Sequence, residues 1–216
     1  INNTLANKDK IVLENKFDFI YQNKDFFFGL TPSVFEDTSY LAHSKYEYLL
    51  PATIEKNIMS SEKYGFLDLT SNLKLRNYET NKQNNSFIND FNWKSNKWLN
   101  FLGVENHLEG LVKTVNYDAE NTSDYKNEKT NSEAHSALGF FAKLPLYKED
   151  FVNKNFHSLI PKFFLRYAPG HMRSIEGGKL NYGNLYSLNK VDEFDVVEPG
   201  LSTSVGFEYK KNKLNE

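Results

Sequence analysis

The amino-acid sequence predicts an all-β fold, an antiparallel meander of about nine long strands. Three observations lead to this prediction. Apolar and polar residues alternate with a period of two along most of the chain, the alternating segments are roughly 10 to 14 residues long, and short and long connections follow one another in turn. A helix would distribute the same apolar residues around its whole circumference, so the helical interpretation is poor.

The alternation is clearest in residues 65–78. Successive side chains of a strand lie on opposite faces, so this segment has one apolar face and one polar face. The apolar face carries Leu67, Leu69, Leu73 and Leu75, and the polar face carries Asp68, Asn72, Lys74 and Arg76. The apolar residues of the predicted strands fall in segments 17–21, 26–34, 46–54, 65–78, 87–93, 104–112, 138–144, 159–167 and 201–209.

The lengths of the strands and connections favour a membrane barrel. Strands of soluble domains centre near about 5 to 6 residues, whereas a tilted membrane strand needs about 9 to 11. The predicted connections are short at 22–24, 60–64, 94–97 and 147–155, and mostly longer at 36–44, 79–85, 118–131 and 170–198. Outer-membrane barrels have short periplasmic turns and long extracellular loops. The connection 147–155 fits this alternation least well, because it is longer than 79–85.

Composition further restricts the class of protein and the kind of partner. The formal net charge of −2 gives no electrostatic case for a nucleic-acid partner. No apolar run reaches the roughly 18 residues that a spanning helix needs. The chain has no cysteine, which excludes disulfides and Cys-ligated metals within it. Aromatic residues make up 15% of the chain at a mean hydropathy of −0.62, a combination that either a soluble all-β domain or a membrane barrel can show.

The sequence shows no catalytic or cofactor motif. The chain has five histidines, at positions 43, 107, 135, 157 and 171, and no two have metal-ligand spacing. His135 is followed by Ser136, and His157 by Ser158, but neighbours in a strand point to opposite faces and cannot form a nucleophile–base pair. Gly177–Gly178 is interpreted as a loop pair. We therefore expect no enzyme and no cofactor, and a solvated surface rather than a cation site at the acidic residues Asp192, Glu193, Asp195 and Glu198.

Two groups of residues are the candidates for function. The charged side chains on the polar strand faces are expected to face a wet lumen; they are Asp68, Lys74, Arg76, Lys162 and Arg166. The connection 170–198 is long for a structureless loop, and it contains apolar residues that would gain no burial energy if they were exposed to solvent. We expect it to fold back and bury Leu185 and Leu188 against the strands. The residues of this predicted plug at the lumen rim are Arg173, Leu185, Tyr186, Leu188, Asn189 and Lys190.

Residues 159–211 carry a more specific signal. A strand ends in Tyr167-Ala168-Pro169, the following loop contains Asn184–Val191 (NLYSLNKV), and the next strand reads Gly200–Tyr209 (GLSTSVGFEY). These motifs resemble the barrel domain of the lipopolysaccharide-assembly protein LptD, the organic-solvent-tolerance family, particularly its alphaproteobacterial versions. Weaker similarities are KYEYLLP at 45–51, NDFNW at 89–93 and GFFAKLP at 139–145. The chain departs from the family at His171, Gly177, Gly178 and Lys179, where acidic residues and arginines are common.

The resemblance implies a location in the outer membrane and a role in inserting lipopolysaccharide into the outer leaflet. It also implies a barrel of about two dozen strands or more, plugged by a lipoprotein partner of the LptE type and surrounded by membrane lipids. An N-terminal jellyroll domain would receive lipopolysaccharide from the periplasmic bridge. Residues 1–216 are then expected to be a fragment of the transmembrane barrel, without the jellyroll. The alternatives are another outer-membrane porin or barrel enzyme, or a soluble lipid-binding β-protein.

Overall fold

The computed structural model describes residues 12–37, 46–79, 81–122, 130–150, 155–170, 180–191 and 195–213. These residues form one antiparallel sheet of thirteen strands, and the described part of the chain contains no helix. The strands are β1 (Val12–Lys16), β2 (Phe19–Gln22), β3 (Phe26–Leu30), β4 (Ser33–Asp37), β5 (Tyr46–Ser61), β6 (Gly65–Tyr78), β7 (Lys82–Lys94), β8 (Trp98–Leu99), β9 (Glu105–Glu120), β10 (Asn131–Lys143), β11 (Leu146–Asp150), β12 (Asn155–Ala168) and β13 (Gly200–Lys213). The all-β prediction is confirmed.

The strands pair as a meander. β1 pairs with β4 and β2 with β3, and both β3 and β4 pair with β5. The order then continues β5-β6-β7-β9-β10-β12, with β8 on β9 and both β11 and β13 on β12. No described helix is long and apolar enough to cross a bilayer.

Prolines explain part of the difference between the predicted number of strands, about nine, and the observed thirteen. Pro32 separates β3 from β4, and Pro145 separates β10 from β11, because proline has no N–H to donate to the ladder. The ladder continues past both breaks: Thr31 N donates to the oxygen of Pro51, and Leu144 N to that of Pro161, each at 3.1 Å. The break between β1 and β2 lies opposite the first of these, where Phe17 N donates to Pro32 O at 3.0 Å.

Three predicted connections are wrong. The polar segment 79–85 was expected to be a long loop, but β7 begins at Lys82 and leaves only 79–81. The backbone of a polar run pairs in a ladder as well as that of an apolar run, so side-chain polarity alone misplaced this boundary. The expected short turn at 94–97 is instead a longer connection, 95–104, that contains β8. The expected connection 147–155 is largely strand, since β11 extends to Asp150.

The chain divides into two compact units. Unit 1 comprises 1–57, 68–90 and 114–134, and unit 2 comprises 58–67, 91–113 and 135–216. The buried cluster of unit 1 is Ile88, Val115 and Tyr117, and the hydroxyls of Tyr78 and Thr122 share a buried hydrogen bond of 2.6 Å in the same unit. The buried cluster of unit 2 includes residues from the connection between β12 and β13.

Gly65 and Gly103 give a test of backbone strain in unit 2. Both have positive φ, +85° and +77°, which costs a residue with a side chain about 1–2 kcal/mol. A Cβ at Gly65 would also collide with Lys94 O and the backbone of Ser95, whereas nothing lies within 4 Å of one at Gly103. We expect Gly65→Ala to lower the free energy of unfolding clearly more than its control Gly103→Ala, as measured by urea titration with tryptophan fluorescence. Equal losses would contradict the described turn geometry.

Candidate functional site

One face of β10, β12 and β13 is apolar and exposed. The pairing brings Tyr167 opposite both Leu138 and Leu201, and Phe163 opposite Val205. Val205 is 73% exposed and Phe207 70%, which is unusual for large apolar side chains in the middle of a strand. We call this surface the apolar face; its exposed members are Leu138, Leu159, Leu165, Tyr167, Leu201, Val205, Phe207 and Tyr209.

The opposite face of these strands is covered by the connection between β12 and β13. Leu188 and Val197 of this connection are buried in the cluster of unit 2, and the half-buried Phe141 and Tyr186 pack against it. The strands contribute the other buried members, Leu111, Ala137, Phe164 and Ala168. We call residues 180–191 and 195–199 the covering loop, and this surface the covered face. Leu185, which was expected to be buried with Leu188, is only half-buried.

Arg166 of β12 fixes the covering loop to the sheet. Its side chain is buried on the covered face, with 1% of its surface exposed. Nε donates a hydrogen bond to the carbonyl oxygen of Leu188, and Nη2 donates one to that of Glu198. Irregular backbone that is buried against a sheet needs such partners, because its carbonyls have no N–H donors from a neighbouring strand. One guanidinium therefore satisfies two distant points of the loop.

Lys190 forms a second attachment. Its ammonium group donates to Ser204 Oγ of β13 at 3.0 Å, and that hydroxyl donates to Leu185 O at 2.7 Å. Asn184 Nδ2 donates to Lys190 O at 2.9 Å. Burial lowers the pKa of Lys190 below its usual range, the positive charge of Arg166 lowers it further, and the Glu198 carboxylate partly opposes both effects. The loop thus keeps the Lys190 ammonium group in a site where burial disfavours its charge.

The start of the covering loop is an asparagine-capped turn. Asn181 Oδ1 accepts hydrogen bonds from the backbone N–H of Gly183 at 2.8 Å and of Asn184 at 3.1 Å. Asn184 Oδ1 in return accepts one from Asn181 N at 2.7 Å. Asparagine favours this geometry because its short side chain imitates a backbone turn. The turn gives order to a segment that would otherwise be a free loop.

Two glycines on the strands allow the loop to approach closely. A Cβ at Gly139 of β10 would lie 2.9 Å from Leu188 Cδ2 and 2.8 Å from the Phe164 ring. A Cβ at Gly206 of β13 would collide with the Tyr186 hydroxyl. Any larger residue at Gly139 would therefore require the loop to move or its side chains to repack.

Ion pairs occupy the rest of the covered face. Lys162 of β12 pairs with Glu208 of β13, and the Lys162 ammonium lies 5.7 Å from the centre of the Tyr186 ring. Glu109 of β9 accepts from Lys94 at 2.9 Å and is 2.9 Å from His107 Nε2. These charges compensate one another in pairs, an arrangement suited to a wet, enclosed surface.

The charged residues predicted on β6 are hydrogen-bonded to β5 within unit 1. Asp68 accepts from Asn57 Nδ2 at 2.7 Å, and Arg76 Nε donates to Glu47 at 2.6 Å. Lys74 lies on the same face of β6 and is half-buried. A cleft of about 250 Å³ adjoins Asp68 and the β2–β3 turn, and its lining is mostly polar and charged.

The opposite, leucine-bearing face of β6 is less uniform than the sequence suggests. Leu67, Leu69, Leu73 and Leu75 are half-buried there. Between them Ser71 donates to Asn89 Oδ1 at 2.7 Å, and Asn89 Nδ2 donates to Thr114 Oγ1 at 3.2 Å. Three polar side chains from three strands thus satisfy one another on the face expected to be purely apolar.

The structure brings together some of the predicted site residues and not others. Lys162, Arg166, Leu188 and Lys190 meet on the covered face, with Leu185, Tyr186 and Asn189 half-buried beside them. Arg173, Asp192 and Glu193 lie outside the described residues. Sequence reasoning missed Ser204, the Glu198 carbonyl and the two close-approach glycines, since only the pairing of β10, β12 and β13 and the path of the covering loop reveal them.

The described residues contain no group of three or more His, Cys, Asp or Glu side chains placed to hold a metal ion. His107 contacts Glu109, and His157 Nδ1 is 2.7 Å from the Tyr209 hydroxyl. Comparison with known protein families and with curated protein sequences finds no match. The similarity to the LptD barrel therefore rests on the motifs of residues 159–211.

Replacing Arg166 tests its role in the loop. In Arg166→Met the carbonyls of Leu188 and Glu198 lose their hydrogen-bond donor. Leaving a buried acceptor unpaired destabilises the attached loop by about 1–3 kcal/mol. We expect cleavage by chymotrypsin after Tyr186 or Leu188 to accelerate about tenfold or more, since about 1.4 kcal/mol is a factor of ten. The control Lys162→Met, which removes an ion pair from the same strand and face, should accelerate it much less. Unchanged cleavage in Arg166→Met would contradict the role assigned to Arg166.

The lowered pKa of Lys190 predicts a pH dependence. Once the loop is detached, Lys190 regains its usual pKa of 10.5 and binds a proton more tightly than in the seated loop. Protonation therefore favours detachment, and the seated loop gains stability as pH rises toward the usual pKa of 10.5. Chymotrypsin cleavage should fall over this range relative to Lys190→Met, measured at the same pH values so that the protease's own pH dependence cancels. A constant ratio between the two proteins would refute the prediction.

Proposed function

We propose that this chain is part of the transmembrane β-barrel of a Gram-negative outer-membrane protein that inserts lipopolysaccharide into the outer leaflet. The observation that carries the barrel proposal is the contrast between the two faces of β10, β12 and β13. One face exposes large apolar side chains, and the other holds ion pairs and a covering loop. Acyl chains outside and water inside would satisfy both faces.

The polar interior is the second support. The barrel lumen of such a protein holds water, loops and partner domains, so charges that face it need no apolar cover. The ion pair Lys162–Glu208 and the chain from Lys94 through Glu109 to His107 suit that environment. A soluble lipid-binding β-protein would instead be expected to turn its apolar face toward a cavity.

The lipopolysaccharide role rests on the resemblance of residues 159–211 to LptD. That segment includes the residues that attach the covering loop to the sheet, which are Arg166, Asn184, Lys190 and Ser204. In this proposal the loop covers part of the lumen wall near the path of a phosphorylated glycolipid. An LptE-type lipoprotein and the periplasmic bridge would be the partners, and membrane lipid would contact the apolar face. A porin would share the two-faced strands but would not require this loop motif.

The membrane proposal is tested by a charge on the apolar face. Val205→Arg should block assembly of the full-length protein, because arginine in hydrocarbon costs about 2–4 kcal/mol near the midplane. The control Asn212→Arg places the same residue on the other face of β13, at an exposed position. Outer-membrane fractionation and heat-modifiable gel migration measure assembly. Normal assembly of Val205→Arg would favour a face in water and contradict the proposal.

The lipopolysaccharide role needs a separate measurement. Depletion of the full-length protein in its own cells should lower newly made lipopolysaccharide at the surface, measured by pulse labelling and enzymatic modification of lipid A. Restoration by the wild-type gene is the control. If surface lipopolysaccharide is unchanged while the protein assembles as a barrel, the porin alternative is favoured.

A further inference from the structure

The connection between β7 and β9 exposes a cluster of large apolar side chains. Phe101 is 94% exposed, and Trp98, Leu99 and Leu102 are exposed as well. We call residues 98–102 the apolar turn. The alternation that identifies the strands does not extend to these residues, so the sequence pattern does not single them out. Exposed apolar clusters of this kind mark contact surfaces.

The apolar turn is held in a defined conformation. Trp98 and Leu99 pair with Asn106 and Glu105, and Asn100 N donates to Val104 O at 3.1 Å. Asn100 Oδ1 accepts from the N–H groups of Leu102 and Val104, each at 3.0 Å. Gly103, at φ +77°, closes the turn by donating to Asn100 O at 3.0 Å. The exposed apolar side chains are thus presented by ordered backbone.

The same hydrogen bonds prepare the turn for a poorly hydrated environment. The backbone N–H groups of Asn100, Leu102, Gly103 and Val104 all have partners within the turn. An unpaired N–H would oppose transfer out of water, whereas a paired one does so much less. Asn100, the one polar side chain among residues 98–102, uses its oxygen for this purpose. Turns that face water have the same kind of pairing, so these bonds permit transfer out of water without requiring it.

The surroundings of the turn indicate what it contacts. The Trp98 ring lies 6.4 Å from the ring of Phe140, centre to centre, and Phe140 is paired with Leu165 of the apolar face. Lys97 precedes Trp98, and its mostly exposed ammonium is 4.0 Å from Glu105, at the limit of an ion pair. A tryptophan next to an exposed lysine, at the margin of an apolar surface, suits the region between lipid headgroups and acyl chains.

We infer that the apolar turn inserts into the interface of a phospholipid leaflet, with Trp98, Phe101 and Leu102 among the upper acyl carbons and Lys97 at the phosphates. This inference rests on the proposed function, since it takes the apolar face to be lipid-exposed. It adds a second kind of lipid contact, made by a connection rather than by strands. The turn then fixes the depth at which the adjoining strands sit in the bilayer.

The test uses the full-length protein in bilayers of phosphatidylethanolamine and phosphatidylglycerol. This chain has no cysteine, so Phe101→Cys and Val205→Cys each introduce a single bimane site into it. Nitroxide lipids labelled at the headgroup or deep in the acyl chain serve as quenchers. We expect the headgroup nitroxide to quench bimane at position 101 at least about twofold more than the deep one, and the reverse at position 205. Lys24→Cys, in the polar β2–β3 turn, is the control and should respond to aqueous iodide.

The outcomes separate the two proposals. Lipid quenching at position 205 but not at 101 would overturn the inference and leave the membrane proposal standing. If position 101 were then also shielded from iodide, another protein would cover the turn. Stronger quenching of position 101 by the deep nitroxide would overturn the interfacial placement. Absence of lipid quenching at both positions would overturn the membrane proposal together with the inference.

Discussion

The register between β12 and β13 is the constraint on which both faces depend. Phe163 lies opposite Val205 on the apolar face, and Arg166 lies opposite Ser202 on the covered face, so the pairing assigns each side chain of both strands to one of the two faces. Because the side-chain period is two, a slip of one residue would carry Arg166 to the apolar face and remove the loop's donor. The covering loop itself opposes such a slip, since Arg166 on one strand and Ser204 on the other both contact it. Register and loop therefore stabilise each other.

The sequence predicts the periodic part of this architecture and not its interruptions. The alternation Leu67 to Leu75 identifies β6 because a half-buried strand imposes it. The break at Pro32 was missed because apolar alternation continues through it, while the missing N–H changes only the ladder. After Pro145 the sequence predicted a connection, but residues 146–150 pair with β12 as β11. The boundary at Lys82 was misplaced because its polar side chains resemble those of a loop. Backbone pairing, which decides the matter, depends on the neighbouring strands rather than on the segment itself.

The candidate site was predictable to a similar degree. Leu188 could be singled out because an apolar residue in a long polar connection calls for a burial partner. The partners of Arg166 could not be predicted. They are backbone carbonyls 22 and 32 positions further along the chain, and every residue has such a carbonyl, whatever its side chain. The same limit applies to Gly139, whose small size matters only because Leu188 lies above it. Side-chain periodicity shows which face of the sheet a residue occupies, but not which residues pack against that face.

Internal pairing of polar groups occurs in two places where this chain presents polar atoms beside apolar ones. The row Ser71–Asn89–Thr114 satisfies its hydrogen bonds among its own members on the leucine face of β6. In the apolar turn, the side chain of Asn100 accepts from two backbone N–H groups between exposed apolar side chains. In water such groups would find partners without help, so their mutual pairing brings only a small gain. Beside hydrocarbon the unpaired alternative is far more costly, and the same bonds become a condition for the surface to exist. The contribution of these bonds therefore depends on the medium that surrounds each of the two surfaces.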